Sequence, residues 1–260
     1  MGAAGALHVT VWGEGEGAVF VHGSFGRGTE TWRAQRPLGN RYRLILVDRR
    51  GFGASPGPDR GDWELDARDL ANLLPSGGAH VVGHSYGGVS SLLAAARRPD
   101  AIRSLTVIEP PALALAHGGA AAEEFIRRIA AAKAEAGDAD DYRRRFVAGF
   151  GFEPPRDPLR GEDRRGGISS WRERPPWDAE VPLAELRAAA FPKLVVRGAW
   201  DQTPPDARAV AMPALHRVCD VLVDKLSAES ATFQGAAHNP QLLGEPFNER
   251  LLDFWQSASS

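Results

Sequence analysis

The chain has one cysteine, Cys219, in 260 residues, so an internal disulfide framework is excluded. Cys219 sits between Val218 and Asp220 in a helical stretch and reads as a half-buried small residue. Lysine is almost as scarce: Lys133, Lys193 and Lys225 are the whole set, and arginine carries the rest of the positive charge. There is no excess of either sign, with 31 basic against 33 acidic residues, which argues against a nucleic-acid partner. No apolar run approaches the roughly 18 residues of a membrane span. The segment Met1–Ala6 is small and uncharged and lacks the basic-then-apolar order of a secretory leader. These absences point to a cytoplasmic protein, a monomer or homodimer acting on a small molecule. No His/Cys/carboxylate set has metal-ligand spacing, so neither metal nor cofactor is expected.

What is present is a rhythm. Leu7–Trp12, Ala18–Val21, Tyr42–Val47, Ala79–Val82 and Leu105–Ile108 read as strands. Thr29–Leu38, Trp63–Leu74 and Val89–Ala96 between them read as helices. Strands alternating with helices predict an α/β fold with a mostly parallel sheet covered on both faces. The rhythm breaks at Pro110-Pro111. From there the chain is helical over Ala120–Ala136, then rich in Pro, Gly and Arg over Glu153–Pro176. Too long for a connection between adjacent strands, this stretch reads as an inserted cap over 112–182, with a core domain formed by 1–111 and 183–260. The alternation resumes with a strand at Lys193–Val196, a helix over Asp206–Leu226 kinked at Pro213, a strand at Ala231–Phe233 and a helix at Phe247–Trp255.

Three loops carry chemistry. Gly83-His84-Ser85-Tyr86-Gly87-Gly88 lies between a predicted strand and helix. A serine on so sharp a turn needs small neighbours two positions either side, and the helix start behind it favours a developing anion. Ser85 is therefore the candidate nucleophile. His22-Gly23-Ser24-Phe25-Gly26 follows another strand and can aim backbone N–H groups at Ser85. The N–H of Ser24, or of Phe25, paired with that of Tyr86, makes a candidate oxyanion hole. His238, in the loop before the last helix, is the candidate general base. His22 and the remaining histidines read as packing or surface groups. Two carboxylates can orient His238. Asp201, after the strand Lys193–Val196, is the first choice; Glu109, at the end of Leu105–Ile108, is the alternative.

Four landmarks in this order, His22–Gly26, Asp48–Ser55, Gly83–Gly88 and Gly198-x-x-Asp201 with His238, resemble the α/β-hydrolase superfamily. The resemblance implies an eight-stranded, mostly parallel sheet with a helical cap inserted after the sixth strand. It also implies an acid after the seventh strand, occasionally the sixth, which keeps Glu109 open. The Asp48–Ser55 turn reads as structural. Serine at position 85, where some relatives carry aspartate, points to acyl chemistry. The expectation is a serine esterase or lactonase for a small to medium apolar substrate, its pocket lined by Phe25, Tyr86, Phe146, Phe150 and Trp171, with Phe152 also in the cap. Carbon–carbon bond hydrolysis or cofactor-free perhydrolysis on the same triad, and a slow-turnover receptor of the same fold, are the alternatives. The run Arg143–Arg145 reads as a solvated face.

Overall fold

A computed structural model describes residues 5–258; the leader reading at Met1–Ala6 falls partly on residues 1–4, outside that range. Seven strands form one sheet: β1 (Val9–Trp12), β2 (Glu16–Val21), β3 (Tyr42–Val47), β4 (Ala79–His84), β5 (Ile102–Ile108), β6 (Lys193–Gly198) and β7 (Glu229–Phe233). Their order is β1-β3-β2-β4-β5-β6-β7, and every pairing is parallel except β1 with β3. The expected count of eight is thus corrected to seven among the described residues. Nothing there pairs beyond the antiparallel edge strand β1, so the insertion follows the fifth strand.

Ten α-helices accompany the sheet: α1 (Gly28–Thr31), α2 (Trp63–Leu73), α3 (Tyr86–Arg97), α4 (Ala120–Glu135), α5 (Ala139–Gly149), α6 (Gly161–Trp171), α7 (Leu183–Ala188), α8 (Pro205–Ala209), α9 (Ala211–Leu226) and α10 (Glu245–Ala258). Helix α2 starts where it does because the Asp62 side chain accepts hydrogen bonds from the N–H groups of Glu64 and Leu65. The helix expected over Thr29–Leu38 is only the four residues of α1, followed by a 3-10 stretch over Arg33–Asn40. Pro37 inside that stretch has no N–H to continue an α-helical ladder. The break expected at Pro213 falls instead at Val210, between α8 and α9. Pro213 is the third residue of α9, in the first turn, where an N–H has no helical acceptor anyway.

The central strands β2 and β4 are buried along most of their length on both faces, and the period of two divides the core into halves. On β2, Val19 and Val21 face the side covered by α2, α3 and α9. Ala18 and Phe20 face the other side, against Trp32, Phe254 and Trp255. Cys219 is fully enclosed in α9 rather than half-buried, and burial pushes its thiol pKa well up, so it is unreactive packing. His80 is also packing: its ring stacks on Trp255, centroids 4.8 Å apart.

Candidate active site

The site forms at the carboxyl ends of β2, β4, β5 and β6, where the loops after parallel strands collect. Strand β4 ends at His84 and α3 starts at Tyr86, leaving Ser85 alone on the turn at φ 51°, ψ −124°. A Cβ on Gly83 would lie 2.4 Å from Ser91 Oγ, and one on Gly87 would lie 2.4 Å from the His22 carbonyl oxygen. The turn therefore cannot carry larger residues there. Ser85 N–H still donates to the Ile108 carbonyl at 2.8 Å, extending the β4–β5 ladder into the turn and fixing the serine's backbone.

His238 reaches Ser85 from the loop after β7, with Nε2 2.9 Å from Ser85 Oγ. Its Nδ1 lies 2.8 Å from Glu109 Oε2. A carboxylate only accepts, so Nδ1 carries the proton and Nε2 presents its lone pair to the serine hydroxyl. Glu109 directly follows β5 and is fully buried, and its N–H donates to the Val196 carbonyl. Its other oxygen, Oε1, accepts from Gly198 N–H at 3.0 Å and from Trp200 Nε1–H at 2.9 Å.

The structure thus reverses the preference between the two acids. Asp201 is exposed, accepts from Gly235 N–H at 3.0 Å and makes no contact with His238 among its hydrogen bonds. The physical reason lies in the loop after β6. Trp200 adopts φ 56° and turns its indole inward to Glu109, which sends the next residue, Asp201, out to solvent. That loop supplies the donors and β5 supplies the acceptor. Gly198 has to be glycine, since a Cβ there would lie 2.0 Å from the Ala237 carbonyl oxygen of the histidine loop.

His84 turns away from Ser85: its Nε2 meets the His238 carbonyl at 2.9 Å and braces that loop. Burial, and then the neighbouring His238, lower its pKa to about 3, so it is neutral. His22 is a structural link, with Nδ1 donating to the Gly23 carbonyl and Nε2 accepting from Arg49 N–H. Burial holds its pKa well below the ordinary value.

The loop after β2 brings Ser24 to the pocket beside Ser85 and Tyr86. Phe25 N–H donates to Ser170 Oγ of α6 at 2.8 Å, so of the two candidate oxyanion donors in this loop only Ser24 N–H is uncommitted. Ser24 Oγ donates to Glu173 Oε2 at 2.5 Å. Behind this contact lies an ion cluster that the sequence reading missed. Arg49, 1 % exposed, donates to Asp66 Oδ2 at 2.8 Å, to Glu173 Oε1 at 2.7 Å and to the Gly23 carbonyl at 3.1 Å. Its guanidinium lies between the rings of Phe52 and Tyr86. One guanidinium serves two buried carboxylates, and burial raises the pKa of both, that of Asp66 to about 6. The Asp48–Ser55 turn is structural, as expected, with Asp48 accepting from the N–H groups of Gly28 and Ala54.

Above Ser85 opens a pocket with about 530 Å³ of empty space, part of it continuous with solvent. Tyr86, Phe146 and Phe150 line it as expected. Phe125, Ile129, Tyr142 and Trp177 join them, and Lys133 and Glu173 are its charged groups. Two expected residues are not on the wall. Phe25 stands behind it, stacked on Tyr142 at 5.6 Å between centroids. Trp171 instead ties α6 to α4, its indole N–H donating to the Lys133 carbonyl at 3.1 Å. Phe152 packs on Trp200 outside the pocket. Arg143 donates to a backbone carbonyl, and Arg144 and Arg145 pair with Asp141 and Glu135, all on the surface. The i, i+4, i+8 spacing of Phe125, Ile129 and Lys133 on α4, which places them along one helix face, was the signal available for this wall.

Comparison with known proteins bears on the family and the fold. The α/β hydrolase family model matches residues 18–250. The pimeloyl-(acyl-carrier protein) methyl ester esterase of Methylococcus capsulatus is 31% identical over 209 residues, 78% of each chain. The 2-(acetamidomethylene)succinate hydrolase of Mesorhizobium japonicum is 36% identical over 107 residues, 40% of this chain and 38% of that one. For two further curated relatives the match spans 44% and 31% of their lengths, less than half. Among solved structures, a thermophilic esterase from Thermogutta terrifontis superposes with a TM-score of 0.62 at 20% identity, covering 98% of this chain and 94% of that one. By the match of the family model across most of its length, together with the sheet order and the serine turn, this chain belongs to the α/β hydrolase family.

Proposed function

We propose that the protein hydrolyses carboxylic esters or lactones of small to medium size through an acyl-enzyme on Ser85. The observation that carries this reading is the unbroken hydrogen-bond chain Ser85–His238–Glu109 opening onto a mostly apolar pocket. Ser85 Oγ attacks the carbonyl carbon as His238 Nε2 takes its proton. Glu109, not Asp201, holds the imidazole and stabilises the imidazolium. The N–H groups of Tyr86 and Ser24 receive the oxyanion, an arrangement worth several kcal/mol in a site with little water. Collapse expels the alcohol, which takes the proton from His238. Water, deprotonated by His238, then attacks the acyl carbon and releases the acid. Residues 112–182 act as the cap that walls the pocket. The names of the esterase and hydrolase relatives support hydrolysis as the reaction class.

Rapid mixing with short-chain chromogenic esters tests this. The expected result is a burst of one equivalent of alcohol followed by steady turnover, both absent in Ser85→Ala. Turnover that survives in Ser85→Ala, or no turnover of any ester or lactone by the wild type, would overturn the reading.

A further inference from the structure

The one ammonium on the pocket wall, Lys133, makes no salt bridge among the described residues, although the charges of Glu173 and Asp178 lie near enough to favour its charged form. Lys133 projects from α4 into the pocket, and its Nζ donates to the backbone carbonyl of Glu173. Among the described residues no carboxylate makes a salt bridge with it, since the Glu173 carboxylate is committed to Arg49 and to Ser24 Oγ. An ammonium has three N–H donors, and among the described residues only one is spent, in a pocket whose lining is mostly apolar, with Phe125, Ile129, Phe146, Phe150 and Trp177. Holding a cation among such groups is costly without a partner, and burial does lower the Lys133 pKa against the opposing pull of Glu173. A leucine or methionine would fill the same wall without that cost. Lys133 is also one of only three lysines in the chain.

We infer that the pocket selects esters that carry a carboxylate, which pairs with the Lys133 ammonium while the ester carbonyl lies at Ser85. This rests on the hydrolase reading and deepens it. A monoanion fits better than a phosphate dianion, because a single ammonium faces it and the neighbouring Glu173 already adds negative charge. Lys133 is then a specificity-determining residue: it binds the part of the substrate that does not react.

The test uses monoethyl esters of the diacids from succinate to suberate, each against its neutral ω-carboxamide analogue, followed by proton release. Wild type, Lys133→Met and Lys133→Arg are compared by the ratio of kcat/KM for charged over neutral ester. For at least one chain length the wild-type ratio should be about tenfold or more, carried mainly by KM. That ratio should fall to near one in Lys133→Met and recover in part in Lys133→Arg. A wild-type ratio near one at every length, or a ratio unchanged in Lys133→Met, would overturn the inference while leaving ester hydrolysis intact. A second readout does not need turnover. Ser85→Ala titrated with the free diacids and their diamides should bind the diacids only, and Ser85→Ala/Lys133→Met should bind neither. Diacid binding that persists without Lys133, or no diacid binding to Ser85→Ala, would also overturn it. Failure of all ester turnover by the wild type would instead strike the hydrolase reading, and the binding comparison would still judge Lys133.

Discussion

The pocket has two unlike sides. Below are the strand ends, where Ser85, His238 and Glu109 are tied across three strand loops by bonds of 2.8–3.0 Å. Four of the five non-glycine residues with positive φ among the described residues, Phe25, Ser85, Glu109 and Trp200, lie in these loops. Strain of that kind persists only where surrounding structure over-determines it, and the sheet ladder does so here. Above is the insertion, whose α4 and α5 give an apolar wall with ordinary helical backbone. On the proposed function, the strand ends fix the chemistry and the insertion decides what reaches it. The two sides meet at several places, among them the loop after β2, which Ser170 and Glu173 hold from above and Arg49 holds from below.

The largest effect that tests this division separates the two loops beside the histidine. In Glu109→Gln the side-chain amide faces His238 Nδ1 and donates to it, favouring the tautomer that cannot accept from Ser85. A loss in kcat of roughly a thousandfold to ten-thousandfold is expected, by the logic of the triad template. Asp201→Asn keeps an acceptor for Gly235 N–H and should change kcat by less than about threefold. Steady-state kinetics on one ester decides between them. A crippled Asp201→Asn with a near-normal Glu109→Gln would restore the assignment that the sequence favoured.

That assignment shows where the sequence stops being legible. Ser85, His238 and the Tyr86 turn could be read because glycine spacing and strand-to-helix placement leave few alternatives at a crowded turn. The parallel sheet could be read because each strand is a short apolar run between turn residues. Glu109 and Asp201 both sit just past a strand, and nothing local distinguishes them. The difference is made by one indole, Trp200, turning inward under a positive φ that no propensity announces. The pocket was harder still. Trp171 and Phe25 are as aromatic as Phe146 and Phe150, yet which ring faces the cavity depends on how α5, α6 and the loop after β2 pack against one another. The Arg49–Asp66–Glu173 cluster joins three distant segments, and its members look like ordinary surface charge until they are brought together.

The junction between the two sides is tested by Glu173→Gln. The amide can still accept from Ser24 Oγ, but it loses its charge toward Arg49, which also holds the Gly23 carbonyl. Loss of a whole oxyanion donor costs roughly a hundredfold to a thousandfold, so a loosened one should cost about ten- to a hundredfold. The loss should fall on kcat more than on KM, with a matching drop in affinity for a boronic acid that mimics the tetrahedral adduct. An unchanged boronic acid affinity would mean that the insertion lines the pocket without shaping the oxyanion loop.

The smallest expected effect concerns the same cluster as a matter of stability. Asp66 is fully buried and its pKa is raised to about 6, chiefly by burial and against the pull of Arg49. A carboxyl whose folded pKa exceeds its unfolded value of about 3.9 stabilises the fold fully below that value and loses the contribution as pH rises through about 6. The amount at stake is at most about 3 kcal/mol. Asparagine imitates the protonated acid at all pH values. The stability of Asp66→Asn relative to wild type should therefore climb between about pH 4 and pH 7 and then level, as measured by urea unfolding across that range. The two profiles running parallel would show that Asp66 does not carry this pH dependence. Arg49 is a single guanidinium between two buried carboxylates, Asp66 on α2 and Glu173 from the insertion. The junction therefore keeps both sides together under a charge imbalance that the strand ends themselves, with Glu109 fully supplied by three donors, do not carry.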